Sequence, residues 1–276
     1  MKRESPCLKY IDLRSLPPYY SSPKMSRLTL QTPPFSSDIF PQTAAIHCLA
    51  FSNLGITQWW ATSPELAITD TVEQIAPLRL YKQIRDHQHR EHDPKGIVVC
   101  AIIDGKVAGV AAWKMPRKLW RSESLGEIVY RKGIEYKDAL EDWLFPSFWY
   151  DQGRRQEFRK AQEDCMEKFL GPGAIDEMWY LKVLAVHPEY QRKGVGAALV
   201  DWGLKHARER GEKAYLEATP FGRGLYLKKG FTTVGELHVG VEGDEVRLPC
   251  MLWNPATAPS DEEIAQLTVP DVEKQA

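Results

Sequence analysis

Leu184-Ala185-Val186-His187-Pro188-Glu189-Tyr190-Gln191-Arg192-Lys193-Gly194-Val195-Gly196 is the stretch whose reading decides the fold. An apolar segment runs into a short polar turn, then into Gln191–Gly196, then into an amphipathic stretch. Strand, glycine-containing turn and helix in that order make a cradle for a pyrophosphate. Glycines let the backbone come close, successive N–H groups point outward, and the helix N-terminus adds partial positive charge. Arg192 and Lys193 add full charges beside it. A dinucleotide fingerprint G-x-G-x-x-G would need glycine at 199, where Leu199 stands, so a nicotinamide cofactor is disfavoured.

Working outward, Met178–Val186 is a nearly continuous apolar run, as suits a strand covered on both faces. Gly194–Arg210 reads as an amphipathic helix with Val195, Ala198, Leu199, Trp202 and Ala207 inward and Gly211 closing it. Ala214–Ala218 reads as a short strand and Pro220–Lys229 as a short helix closed by Gly230. Phe231–Val239 and Val246–Trp253 read as two further strands. Upstream, Arg27–Thr32 alternates like a strand, Phe35–Phe51 has helical spacing, and Val72–Arg90 is helical with a kink or restart at Pro77. Gly96–Ile103 and Lys106–Lys114 flank Asp104-Gly105, a hairpin turn signal.

Residues 115–175 depart from this alternation. They hold Trp120, Tyr130, Tyr136, Trp143, Phe145, Phe148, Trp149 and Tyr150 with little strand pattern. Gln152–Leu170 puts Phe158, Ala161, Cys165 and Phe169 on one helical face, and Gly171-Pro172-Gly173 stops that helix. The segment is too long for a plain loop. It reads as a wall for a hydrophobic amine, as a helical flap with its own small core, or as a dimer contact. The order from residue 27 is β α α β β, insertion, β α β α β β. An α/β fold follows, a mixed central sheet with helices on both faces and a helical insertion between the third and fourth strands. Residues 1–26, rich in Pro, Ser and Tyr, read as an N-terminal extension. The main domain spans 27–255, and 256–276 reads as a polar tail.

Two elements carry a family resemblance. Gln191–Gly196 resembles the Q/R-x-x-G-x-G/A acyl-CoA signature of the GNAT N-acetyltransferase superfamily, and Tyr226-Leu227-Lys228-Lys229-Gly230-Phe231 resembles its Y-x-x-x-G-F element. The likeness covers about residues 27–253 and is strongest over 178–232. It implies the GNAT fold, with acetyl-CoA as acyl donor and no metal. It implies that backbone amides of Gln191, Arg192, Lys193, Gly194, Val195, Gly196 and Ala197 hold the pyrophosphate. The strand before the cradle then splays from its neighbour, and backbone groups of Val183, Leu184, Ala185 and Val186 meet the pantetheine and the acyl carbonyl. Tyr226 becomes the proton donor to the departing thiolate.

The general base is harder to read. Where some family members place His or Glu, this chain has Tyr180 and Lys182. Glu217, on the next strand and flanked by small or apolar residues, is the first choice, with Asp176 and Glu177 acting through water as alternatives. A buried Lys182 with a lowered pKa is a further one, and His187 reads as a turn element. The resulting activity is acetyl transfer to a primary amine of a small molecule by direct attack in a ternary complex. A CoA-binding module without transfer stays open, as do thioester hydrolysis, O-acylation and a protein lysine or N-terminus as acceptor.

Bulk composition fits an ordinary globular protein of 276 residues, 43% hydrophobic and 26% charged, with formal net charge -1. That balance speaks against a nucleic-acid partner, and no apolar run is long enough to cross a membrane. Cysteines 7, 48, 100, 165 and 250 are scattered and odd in number, which disfavours a disulfide framework or zinc site and suits a reducing, cytoplasmic setting. A monomer or a homodimer is expected.

Overall fold

Asp104 and Gly105 both take left-handed backbone, with φ of 53° and 75°. That is the two-residue hairpin turn whose twist matches the strands it joins. The hairpin it closes, β2 (Gly96–Ile103) and β3 (Lys106–Lys114), anchors a seven-stranded sheet in the order β1-β2-β3-β4-β5-β7-β6. The remaining strands are β1 (Thr29–Gln31), β4 (Trp179–Val186), β5 (Ala214–Glu217), β6 (Thr232–Val241) and β7 (Asp244–Trp253). All neighbouring strands are antiparallel except β4 and β5. The computed structural model describes residues 28–52, 54–62, 69–144, 151–241 and 243–258. The extension expected over 1–26, the aromatic run 145–150 and most of the tail lie outside the described residues.

Alternation along β2 shows how the faces divide. Val99, Ala101 and Ile103 pack with Val195 and Leu199 of α6 (Val195–Arg210), while Val98 and Cys100 pack with Ile39 and Ile46 of α1 (Ile39–Phe51). The short α7 (Pro220–Lys228) joins the α6 face through Tyr226. On the α1 face lie also α2 (Gly55–Trp60) and α3 (Pro77–His92). The strand order read from the sequence is the order observed, and the helices follow it except that α2, a six-residue helix, was not anticipated. Pro77 restarts the chain as the first residue of α3, after a 3-10 turn at Val72–Gln74. Several element ends shifted by a few residues, and one helix face turned. The helix expected from Phe35 starts at Ile39, once the polar run Ser36-Ser37-Asp38 has been passed. Along α6, Val200 and Leu204 are buried where Ala198 and Trp202 were expected to be. Trp202 instead forms the edge of a Trp179–Trp202–His206 ring cluster.

The insertion forms two helices, α4 (Leu125–Leu144) and α5 (Gln152–Leu170). They behave differently. α5 is capped by Asp151, whose side chain accepts from the Arg154 N–H, and it packs Phe158, Cys165 and Phe169 into a core with β6 and β7. α4 buries a single residue among those described, Asp138.

Candidate active site

The parallel pair β4–β5 is registered at two positions, Trp179 with Ala214 and Tyr180 with Tyr215. Beyond Tyr180 the strands part. β4 stays bonded to β3 as far as Val186, and β5 stays bonded to β7 as far as Glu217. The far edge of β4 from Leu181 to Val186 therefore has no strand neighbour among the described residues, and its backbone donors and acceptors face a cleft. The divergence coincides with a bulge. Ala112 pairs with Val183 and Trp113 with Leu181, leaving Lys182 as the extra residue. A bulge bends its strand and sharpens its twist, which helps carry β4 away from β5.

The cleft measures about 930 Å³ and is closed by the end of α1, the first turn of α6 and α7. Leu184 and Val186 line it, with Gln191, Arg192, Gly194, Gly196 and Ala197 at its phosphate end and Tyr226 on its α7 wall. Gly194 is the residue before α6, with φ of 85°, and its carbonyl accepts the Ala198 N–H at 3.0 Å. The N–H groups of Val195, Gly196 and Ala197 are the unpaired first donors of that helix. Arg192 also holds left-handed backbone, φ 61°, in an exposed turn. The bare backbone at Gly194 and the open edge of β4 fit a pyrophosphate and an extended amide-bearing arm. A methyl added at Gly194 would meet no atom within 4 Å, so the space above it is free.

The remaining cradle residues contribute backbone or charge. The Val195 side chain is buried in the core, and those of Val183 and Ala185 are buried against α1. Lys193 is exposed, its ammonium 5.7 Å from the Tyr190 ring. His187 donates its N–H to the Ala108 carbonyl and accepts the Glu189 N–H on Nδ1 at 3.3 Å, while burial lowers its pKa to about 4. It caps the turn as the sequence reading expected.

Tyr226 is buried, its ring edge-on to Phe231 with centroids 5.8 Å apart. Burial raises its phenol above the ordinary value. Its hydroxyl has no hydrogen-bond partner among the described residues. Gly222, one turn earlier, leaves room for the ring: a Cβ there would fall 2.9 Å from Tyr226 Cε2.

Glu217 lies on the other face of the sheet. Leu216 and Ala218 point to the α6–α7 side, whereas Glu217 shares the α5 side with Tyr180 and Cys250. Tyr180 Oη donates to Glu217 Oε2 at 2.8 Å, and Gln162 Nε2 of α5 donates to the same oxygen at 3.4 Å. Oε1 is buried without a partner. Burial raises the Glu217 pKa, and the hydrogen bonds, that of Tyr180 foremost, pull it partly back. Beside it, Cys165 and Cys250 sulfurs are 3.1 Å apart, and burial pushes the Cys250 thiol up to about 12.

The other acidic candidates are engaged elsewhere. Asp176 is bonded to Lys114 and Arg117, and the Lys114 contact holds its carboxyl below the usual range. Glu177 is exposed beside Arg117. Lys182 sits at the bulge with part of its surface exposed, and desolvation first, then the nearby Arg90 charge, lowers its ammonium pKa as the sequence reading allowed. Sequence reading did not anticipate Gln162 and treated Tyr180 as a poor base. Tyr180 proves to be the hydrogen-bond donor that holds the carboxylate. Of the insertion aromatics, Tyr136 and Trp143 face solvent, and Tyr130, edge-on to His92, lines a cleft between α3 and α4 that is separate from the one holding Tyr226.

The chain belongs to the acetyltransferase (GNAT) family, whose family model matches residues 56–231. A protein of Stachybotrys chartarum named "Acetyltransferase" is 28% identical over 162 residues, covering 57% of this chain and 64% of the relative's length. This chain is also similar to a solved histone acetyltransferase HPA2-related protein of Corynebacterium glutamicum, at 19% identity and a TM-score of 0.47 over 83% of this chain and 96% of that one. A PaiA N-acetyltransferase of Thermoplasma acidophilum, solved with coenzyme A, matches at 13% identity and a TM-score of 0.39, over 82% and 99% of the two chains.

Gly194→Ala places a side chain in left-handed backbone at a cost of about 1–2 kcal/mol. It is expected to weaken CoA binding about tenfold or more. Gly196→Ala adds a methyl in ordinary contact with Leu225 and Val186, both at 3.5 Å, and is expected to leave thermal stability intact. Calorimetric titration with CoA and a melting curve read both; equal affinity in Gly194→Ala and the unaltered chain would remove the loop from phosphate binding.

Proposed function

We propose that the protein transfers the acetyl group of acetyl-CoA to the primary amine of a small molecule in a ternary complex. The observation that carries this reading is the convergence on one cleft of the unpaired β4 edge, the bare amides of the 191–197 loop and Tyr226. Gln191 through Ala197 bind the pyrophosphate, and backbone groups of Val183, Leu184, Ala185 and Val186 orient the pantetheine arm and polarise the acyl carbonyl.

The acid and base act from opposite faces of the sheet. Glu217, desolvated on the α5 side, takes the proton from the attacking amine. Its raised pKa brings it closer to the range in which a carboxylate is an effective base. Tyr226, on the α7 side, donates its phenolic proton to the departing thiolate or hydrogen-bonds it. Bringing both reactants into one splay supplies proximity. Gln162 of α5 and the buried rings of Tyr180 and Tyr215, 5.6 Å apart, surround Glu217 on that side. The free thiols of Cys165 and Cys250 suit a reducing compartment such as the cytosol.

Tyr226→Phe is expected to lower kcat about 100-fold or more, with the calorimetric Kd for acetyl-CoA changed by no more than about threefold, as befits a group acting on the leaving thiolate. Unchanged turnover would remove Tyr226 from the acid role. A panel of arylalkylamines, polyamines, amino acids and lysine peptides, read by thiol release, supplies the acceptor for the assay. Release with no acceptor present would instead mark thioester hydrolysis.

A pH profile tests Glu217. The bond from Tyr180 stabilises the charged carboxylate, so Tyr180→Phe raises the Glu217 pKa further. Because the base must be deprotonated, the acid limb of kcat/KM is expected to move to higher pH. Glu217→Gln is expected to lose that limb together with most of the rate. An acid limb unmoved in both variants would place the base elsewhere.

A further inference from the structure

The α4 helix is docked inside out. Its charged face meets α3: Asp138 Oδ2 lies 2.6 Å from His89 Nε2 and 3.3 Å from Arg85 Nε. Glu141 accepts from Tyr81 at 2.9 Å, and Asp142 pairs with Lys82 at 2.9 Å and Arg85 at 3.0 Å. The opposite face carries Leu125, Val129, Tyr136, Leu140 and Trp143, all exposed, with Leu125 and Tyr136 at 82% and Trp143 at 76%. With Lys132 among them, these positions are spaced three or four residues apart and share one helix face, as in a helix–helix seam. A lone helix in water gains nothing from showing such a stripe, and a contiguous patch of this kind marks a contact surface. Turning α4 to bury the stripe against the other described residues would break its ion pairs to α3.

We propose that this stripe is the seam of a homodimer, in which α4 packs antiparallel on α4 of a second copy. The spacing is self-complementary about the level of residue 134. Antiparallel pairing sets Leu125 opposite Trp143, Val129 opposite Leu140, and the Lys132 ammonium opposite the Tyr136 ring, each contact occurring twice across the twofold axis. At 1.5 Å per residue the stripe is about 27 Å long. At the exposures given, it offers on the order of 800 Å² from each copy, the area a standard interface takes per partner. Charge argues against an anionic lipid surface as the occupant: α4 carries Arg131, Lys132 and Lys137 against Glu127, Glu135, Asp138, Glu141 and Asp142.

The test is sedimentation velocity on the full chain over a concentration series. The unaltered protein is expected at twice the chain mass. The double variant Tyr136→Glu with Leu140→Glu is expected at the single-chain mass, its dimer weakened about 100-fold or more by unpaired buried carboxylates. Both positions face solvent in one copy, so the far-UV circular dichroism and melting temperature of the variant at low concentration are expected to match the unaltered chain. Glu163→Lys, on an exposed face of α5, is the control and keeps the dimer. A single-chain mass for the unaltered protein up to about 100 μM (about −5.5 kcal/mol) overturns the proposal. So does a dimer that survives the double variant, or a single-chain species that floats with phosphatidylserine vesicles.

Discussion

The end of β4–β5 pairing after Tyr180 is the constraint on which the rest of this site depends. Parallel neighbours that stayed bonded would satisfy each other's amides and leave no edge to read a ligand. Here β3 and β7 hold the outer edges of β4 and β5, so the sheet tolerates a gap between them without losing its core. The gap exposes backbone groups that a polar, extended donor can satisfy, and burying such groups unpaired would be costly. Everything placed around it follows from the two strands: the 191–197 loop continues β4, and α7 with Tyr226 continues β5.

In the proposed mechanism the same geometry separates two chemical tasks. Alternation along β5 sends Glu217 to one face and Leu216 and Ala218 to the other, where α7 packs. Proton removal and proton donation can then occur on opposite sides of a carbon held in the plane of the sheet. Burial shifts both groups, raising the Glu217 carboxyl and the Tyr226 phenol. Tyr180 and Gln162 moderate the first shift, and Tyr226 has no comparable partner among the described residues.

What was legible in the sequence is what is local. The Asp104-Gly105 turn, the Gly194 cap of α6 and the Tyr226–Phe231 element each depend on residues a few positions apart, and the chain order of strands and helices follows from them. The Glu217 environment was less legible because it joins three elements, with Gln162 in the insertion 55 positions away. Tyr180 was visible at the position where a base was sought, and its role as a donor to Glu217 appears once β4 and β5 are aligned at Tyr180 and Tyr215. For α4, periodicity shows an apolar stripe, and hydrophobic patterning alone would turn it inward. The acidic set Asp138, Glu141 and Asp142 finds Arg85, Lys82 and Tyr81 on α3 and decides the other way.

The central claim is that the open edge of β4 is the donor's seat. Amide hydrogen exchange with and without CoA measures it at the backbone itself. The account predicts that the amides of Val183–Val186 and of the 191–197 loop slow markedly on CoA addition, while those of β6 and β7 are unchanged. Protection confined to other elements, with no change over 183–186, would contradict it.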